Sequence, residues 1–308
     1  MMAWDLGGNW SSELLRMRLA LKMPVDRINE LMPPYPGDKP LPLADYAALY
    51  RGLALDGRLD QQALSLMEQA APPSGVEGVG SNNWVVSGSN TVTGKPLLAN
   101  DPHLKLSAPA LWYFARLEAP GFKAAGATMP GLPMVVLGQN ERVAWGFTNT
   151  NPDVQDLYLE EIKAGDPARY RTPEGWAPFE VYKDTIRVRG KAPVEVTVRA
   201  TRHGPVISDV PGGATQGLTG PPGEPRYAIA MRWTALEVPN SSIEAAVAMS
   251  RGNSVDEVVK ASAARLAPME NMVVADSAGR IGMASAGRVP VRKAENDLKG
   301  QVPAPGWD

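Results

Sequence analysis

The chain has 308 residues, 44% apolar and 21% charged, with a formal net charge of −2. That length buries a substantial core in one or two domains, and the charge balance offers nucleic acid no basic field. Cysteine is absent, which excludes disulfides, thiol catalysis and cysteine-held metals, and no apolar run approaches the ~20 residues of a membrane helix.

In chain order, Asn9 or Ser11 is placed to cap a helix carrying Leu14, Leu15, Leu19 and Leu21. Glu13 falls in its first turn, where the helix dipole favours a carboxylate. Further helices are expected over 24–31, 43–53 and 60–70, the last with Leu64 and Met67 as core contacts. A linker rich in proline and glycine follows over 72–80, exposed and open to cleavage. From there the pattern turns from helical to β. Strands are expected over 83–87, 97–99, 111–117, 123–127, 134–137, 143–148 and 157–162. The stretches 176–188 and 194–201 alternate polar and apolar residues, as half-buried strands do, and 227–233 reads as another strand. Two amphipathic helices are expected over 241–250 and 254–264, the second with Ser254 as cap and Glu257 three residues on. A hairpin over 270–275 and 280–284 turns at Ser277-Ala278-Gly279. No repeat or low-complexity tract is present, and pattern alone gives the fold class α+β.

The chemistry centres on Gly78 to Val86, Gly-Val-Gly-Ser-Asn-Asn-Trp-Val-Val. Ser81 sits between a bendable glycine lead and a strand-like run, an arrangement that suits a nucleophile and equally suits a loop serine starting a strand. A Ser-His-Asp triad is the first chemistry to weigh, and His103 and His203 are the two imidazoles available. Neither lies in a recognisable triad motif, and no Gly-x-Ser-x-Gly elbow surrounds Ser81, which disfavours a generic serine esterase. A second activation exists if the Gly80–Ser81 bond is cut. Ser81 then carries a free α-amine, with an ordinary pKa of roughly 7.7–8.0, that can act as its own base.

Beyond Ser81 come Leu98-Ala99-Asn100-Asp101-Pro102-His103-Leu104, Pro130-Gly131-Leu132-Pro133, Gly138-Gln139-Asn140, Ala144-Trp145-Gly146-Phe147-Thr148-Asn149 and Asp153-Val154-Gln155-Asp156-Leu157-Tyr158. In this order and spacing the series resembles the penicillin acylase family of N-terminal nucleophile hydrolases. The resemblance runs from about Met2 to the end of the chain and is densest between Gly80 and Tyr158. It implies a four-layer αββα sandwich, incomplete at both ends. Residues 1–71 would then be the C-terminal part of a small, helical subunit, 72–80 a spacer, and 81–308 the N-terminal part of a large subunit. On the same resemblance, the two fragments of one precursor would stay together as partners.

The activity implied is hydrolysis of a linear small-molecule amide through an acyl-enzyme on Ser81, exposed by self-cleavage at Gly80–Ser81. Oxyanion donors carried over by the resemblance are the backbone N–H groups of Asn149 and His103; a third, an asparagine side chain, would lie beyond residue 308. His103 matches a position that is histidine in cephalosporin and acyl-homoserine-lactone acylases and glutamine in penicillin G acylases. His203 reads as holding a turn. The resemblance also implies a structural calcium ion held by Asp153, Asp156, the Gln155 carbonyl and Glu13, although Asp153 and Asp156 would serve equally as loop-capping residues. Leu104, Leu137, Met134 and Trp145 are candidates for an apolar acyl pocket, with Met2 and Trp4 covering it; each is as natural in a core. An acyl-homoserine-lactone acylase is the nearest alternative. An uncleaved, catalytically incomplete structural fragment is the alternative of another class. The family habit implies a periplasmic location, and neither nucleic acid nor membrane is expected as a partner.

Overall fold

The computed structural model of the chain describes residues 2–34, 36–37, 43–53, 80–104, 108–211, 213, 215, 218–220, 225–296 and 298–308. The helix expected over 60–70 and the linker up to residue 79 lie outside them. Among the described residues no helix is long and apolar enough to cross a membrane. The chain divides into two compact units.

One unit gathers Met1–Gly7, Pro73–Pro152 and Thr234–Pro290. It opens with a short helix that the sequence pattern did not announce, α1 (Met2–Leu6). Strands β1 (Gly80–Val86) and β2 (Leu97–His103) pair antiparallel into a two-stranded ribbon. The second strand runs past the expected end at residue 99. Pro102 does not stop it, because in a two-stranded ribbon half of the backbone N–H groups face away from the partner. Next come β3 (Tyr113–Ala119), β4 (Phe122–Thr128), β5 (Leu137–Asn140) and β6 (Val143–Asn149). With the expected hairpin, β14 (Glu270–Asp276) and β15 (Ile281–Ala286), they form an antiparallel six-stranded sheet in the order β15-β14-β6-β5-β4-β3. Residues 134–136, expected as strand, lead into β5 as a tied loop: Thr128 Oγ1 donates to Met134 O at 2.6 Å and Val136 N to Ala127 O at 2.9 Å.

Val143, Trp145 and Phe147 alternate along β6, and Met272 and Val274 along β14, so the period of two puts them on common faces. They form one core with Met249, Val255 and Val258 of the helices α5 (Ser242–Ser250) and α6 (Val255–Ser262). Ser254 caps α6 as expected, its side chain accepting from Glu257 N.

The other unit gathers Gly8–Pro72, Asp153–Trp233 and Val291–Asp308. Helices α2 (Trp10–Ala20), α3 (Val25–Leu31) and α4 (Leu43–Gly52) fall where the apolar spacing puts them. Leu14, Leu15, Met17 and Leu19 of α2 pack in one core with Tyr46 and Tyr50 of α4 and with Leu157 and Leu159 of β7 (Gln155–Glu161). Strand β7 lies between β13 (Tyr227–Trp233), antiparallel, and the short parallel β16 (Ala304–Pro305). The stretch expected as one strand over 176–188 is divided into β9 (Gly175–Pro178), which pairs with β8 (Arg169–Thr172), and β10 (Glu180–Ile186). The latter is exposed along its whole length rather than half-buried. It pairs with β11 (Val194–Thr201), which turns back through β12 (Gly204–Pro205).

Candidate active site

The backbone register sets Gly80 opposite His103 and Ser81 opposite Pro102. Gly80 has φ +151°, a conformation side chains rarely adopt, while a Cβ there would meet none of the described residues within 4 Å. The backbone conformation by itself calls for glycine at this position. Ser81 Oγ donates to the Gly80 carbonyl oxygen at 2.7 Å, so the hydroxyl lies against the peptide group that precedes it.

Ser81, Asn149 and Glu270 line one cavity of this unit. Its apolar wall comes from Leu6, Leu104, Trp112, Val136, Leu137 and Phe147. Asn149 ends β6; its Nδ2 donates to Leu6 O at 2.9 Å and to Asn151 Oδ1 at 2.7 Å, and its buried Oδ1 finds no hydrogen-bond partner among the described residues. Glu270 is opposite Asn149 across the β14–β6 ladder. Its carboxylate is paired with Arg265, with side-chain exposures of 9% and 10%. Burial pushes the Glu270 carboxyl above the usual range, and the Arg265 charge pulls it back only in part. The Arg265 guanidinium also sits over the Phe147 ring, 4.7 Å from its centroid.

His103 stands in the strand opposite Gly80, and its Nε2 pairs with Asp101 Oδ2 at 2.8 Å. Its ring does not line the cavity. Of the expected pocket residues, Leu104 and Leu137 line the cavity. Met134 and Trp145 are core residues, with Trp145 Nε1 bonded to Val136 O at 2.9 Å. Trp4 is 39% exposed, and the side chain of Met2 lies outside the described residues. Leu6 lines the wall instead, one helical turn on from Met2.

In the other unit the residues expected around calcium come together. Glu13 Oε1, Asp153 Oδ1 and Gln155 O converge on one atom, Asn9 Nδ2, at 3.2, 2.9 and 2.6 Å. Asn9 Oδ1 accepts from Val154 N and Gln155 N at 3.2 and 3.0 Å, which fixes which way its amide points. Asn9 thus precedes α2 without capping its backbone N–H groups; its side chain reaches Glu13 on the helix and the 153–155 segment instead. Asp156 is turned to Arg292, whose Nη2 lies 2.5 Å from Asp156 Oδ1 and 2.9 Å from Asp153 Oδ1. Burial raises the Glu13 carboxyl well above its ordinary value and Asp153 to about 6, Arg292 holding the latter back. His203, elsewhere in this unit, bonds through Nδ1 to buried Glu160 at 2.8 Å and stacks on Tyr158, its centroid 3.8 Å away.

The sequence profile described as "Penicillin amidase" matches residues 1–308. The chain belongs to the penicillin amidase family. It is 33% identical over 308 residues to "Acyl-homoserine lactone acylase QuiP" of Pseudomonas aeruginosa, a match covering 99% of this chain and 36% of that protein. It is 34% identical over 235 residues to "Penicillin acylase 2 proenzyme" of Pseudomonas sp. (strain SE83), covering 76% of this chain and 28% of that protein. Among solved structures it is similar to "Thermostable Penicillin G acylase from Alcaligenes faecalis in orthorhombic form", with a TM-score of 0.60 and 28% identity, over 73% of this chain and 38% of that one. The fold class is thus that of the N-terminal nucleophile hydrolases, mixed helix and sheet as expected. The chain spans about a third of the length of the curated relatives it matches.

For a penicillin amidase relative, the acidic cluster fits calcium in kind: hard oxygens from carboxylates and a carbonyl. An amide nitrogen carries two hydrogens, so the three oxygens around Asn9 Nδ2 exceed what it can serve. In number the set is short, since calcium takes about 6–8 oxygens and Arg292 engages Asp156. Among the described residues no group of three or more acidic or histidine side chains makes a metal cage by itself.

Proposed function

We propose that this chain is the nucleophile-bearing part of an amide hydrolase of the penicillin acylase type, with Ser81 as an N-terminal nucleophile. The observation that carries the reading is the Ser81 hydroxyl lying 2.7 Å from the Gly80 carbonyl oxygen at the edge of a largely apolar cavity. Ser81 Oγ attacks the Gly80 carbonyl carbon, the peptide nitrogen leaves as the peptide becomes an ester, and water hydrolyses that ester. Ser81 is then left with a free α-amine as its base. In turnover, Oγ attacks the substrate amide carbon, its proton passes by way of the α-amine to the departing amine, and water releases the acyl group. The Asn149 and His103 backbone N–H groups are the donors proposed for the oxyanion; one such donor is worth about 10²–10³ in rate. A calcium ion would be held by Glu13, Asp153 and the Gln155 carbonyl, tying α2 to the start of β7; its role would be structural.

The substrate reading follows the cavity wall and the relatives. A lining of leucine, valine, phenylalanine and tryptophan suits an acyl chain. Relatives named acyl-homoserine lactone acylase match nearly the whole chain, against 76% for the relative named penicillin acylase 2 proenzyme, which favours an acyl-homoserine lactone over a penicillin. Intact-mass analysis of the purified chain tests the mechanism. A large fragment beginning at Ser81, and a single uncleaved species in Ser81→Ala, are the expected results. An intact wild-type chain, or two fragments from Ser81→Ala, would refute it and leave the structural-fragment alternative.

A further inference from the structure

We propose that Asn100 is a positioning residue that sets Ser81 against the strand carrying Asn149; this rests on the reading of Ser81 as the nucleophile. Among the described residues strand β1 pairs with β2 alone, so its place on the six-stranded sheet comes from other contacts. Asn100, in the middle of β2, supplies them. Its Nδ2 donates to Asn82 O and to Phe147 O, both at 2.9 Å, and its Oδ1 accepts from Phe147 N at 3.0 Å. Both amide hydrogens and the amide oxygen are used, which neither aspartate nor a hydroxyl side chain reproduces. Asn82 directly follows Ser81, and Phe147 lies two residues before Asn149 on β6, so one side chain spans from the nucleophile's neighbour to the opposing cavity wall.

The neighbouring backbone is shaped for this reach. Gly146 leaves open the space Asn100 fills: a Cβ there would come within 2.7 Å of Asn100 Cβ and 2.9 Å of its Cγ. Asn83 adds a second tie, donating through Nδ2 to Asn271 O on β14 at 3.0 Å. A misplacement of about 1 Å in a reacting group can cost about 10²-fold in rate, which is the effect a loosened β1 would have.

The test compares Asn100→Asp and Asn100→Ala with Asn140→Ala. Asn140 on β5 makes four comparable bonds in the same unit, to Ser250 O, Gly252 O, Arg142 N and Val143 N, away from the cavity lining. Self-cleavage at Gly80–Ser81 is followed by intact mass well below each unfolding midpoint, and hydrogen exchange is read over residues 80–86 and 143–149. Both Asn100 variants should cleave about 10²-fold more slowly and exchange faster in both segments. Asn140→Ala should lose stability yet cleave at the wild-type rate. Gly146→Ala, which crowds Asn100 without altering it, should move both readouts in the same direction and serves should an Asn100 variant not fold. Asn100 variants that cleave like wild type, or whose exchange in these segments is unchanged, overturn the proposal. Should wild type itself remain uncleaved, the nucleophile reading fails, and the exchange data alone decide whether Asn100 fixes the strand.

Discussion

Replacing Arg265 by methionine isolates the buried ion pair beside the cavity. Glu270 and Arg265 are each about nine-tenths buried, and the guanidinium also covers the Phe147 ring. Removing one partner of a buried pair leaves an uncompensated charge and costs about 3–5 kcal/mol. At about 2–4 °C per kcal/mol for a domain of this size, that is a fall of roughly 6–20 °C in the unfolding midpoint. The double variant Arg265→Met with Glu270→Leu removes both charges and should recover most of the loss. The pH dependence has a definite sign. Glu270 in the folded chain titrates above its unfolded value, so its contribution is fully present at low pH and is lost as pH rises through the raised value. Without Arg265 that value rises further, so the penalty should be largest at neutral pH and shrink on acidification. Scanning calorimetry of the two variants at several pH values is the assay. A single variant that shifts by less than about 2 °C at neutral pH, or a double variant no better than the single, would refute the reasoning.

Asp153, with its carboxyl raised to about 6 in the folded chain, should favour folding below about pH 4 and lose that contribution as pH climbs through 6; in chelator, Asp153→Asn should flatten this slope in a thermal melt. Calcium returned to chelated protein above pH 6 should raise the midpoint in wild type and not in Asp153→Asn, and an unchanged midpoint in both would remove calcium from the account. Ser254→Ala, which deletes the cap on Glu257 N, should destabilise the first unit by about 1 kcal/mol in the same melts.

Periodic segments were legible. The strands over 194–201 and 227–233, the helix caught by Ser254, and the hairpin after Glu270 follow from local pattern and turn chemistry. Short or context-set elements were not. Helix α1 has five residues, too few for a period to register, and β10 alternates in sequence yet is exposed throughout. Within the site, Ser81, Asn149, Leu104 and Leu137 were singled out from the sequence, and all four line one cavity. Leu6, Glu270 and Arg265 were not, because their proximity comes from α1 and from the β14–β6 register, which join segments more than a hundred residues apart. Asn9 read as a helix cap because asparagine before a helix usually is one. Only the folded chain reveals the distant 153–155 segment competing for its amide.

Seven cross-strand pairs join β1 to β2, and the Gly80–His103 pair is the outermost of them. A nick between residues 80 and 81 would remove only that terminal rung, so a newborn chain end at the serine would stay clamped in its ribbon instead of fraying into solvent.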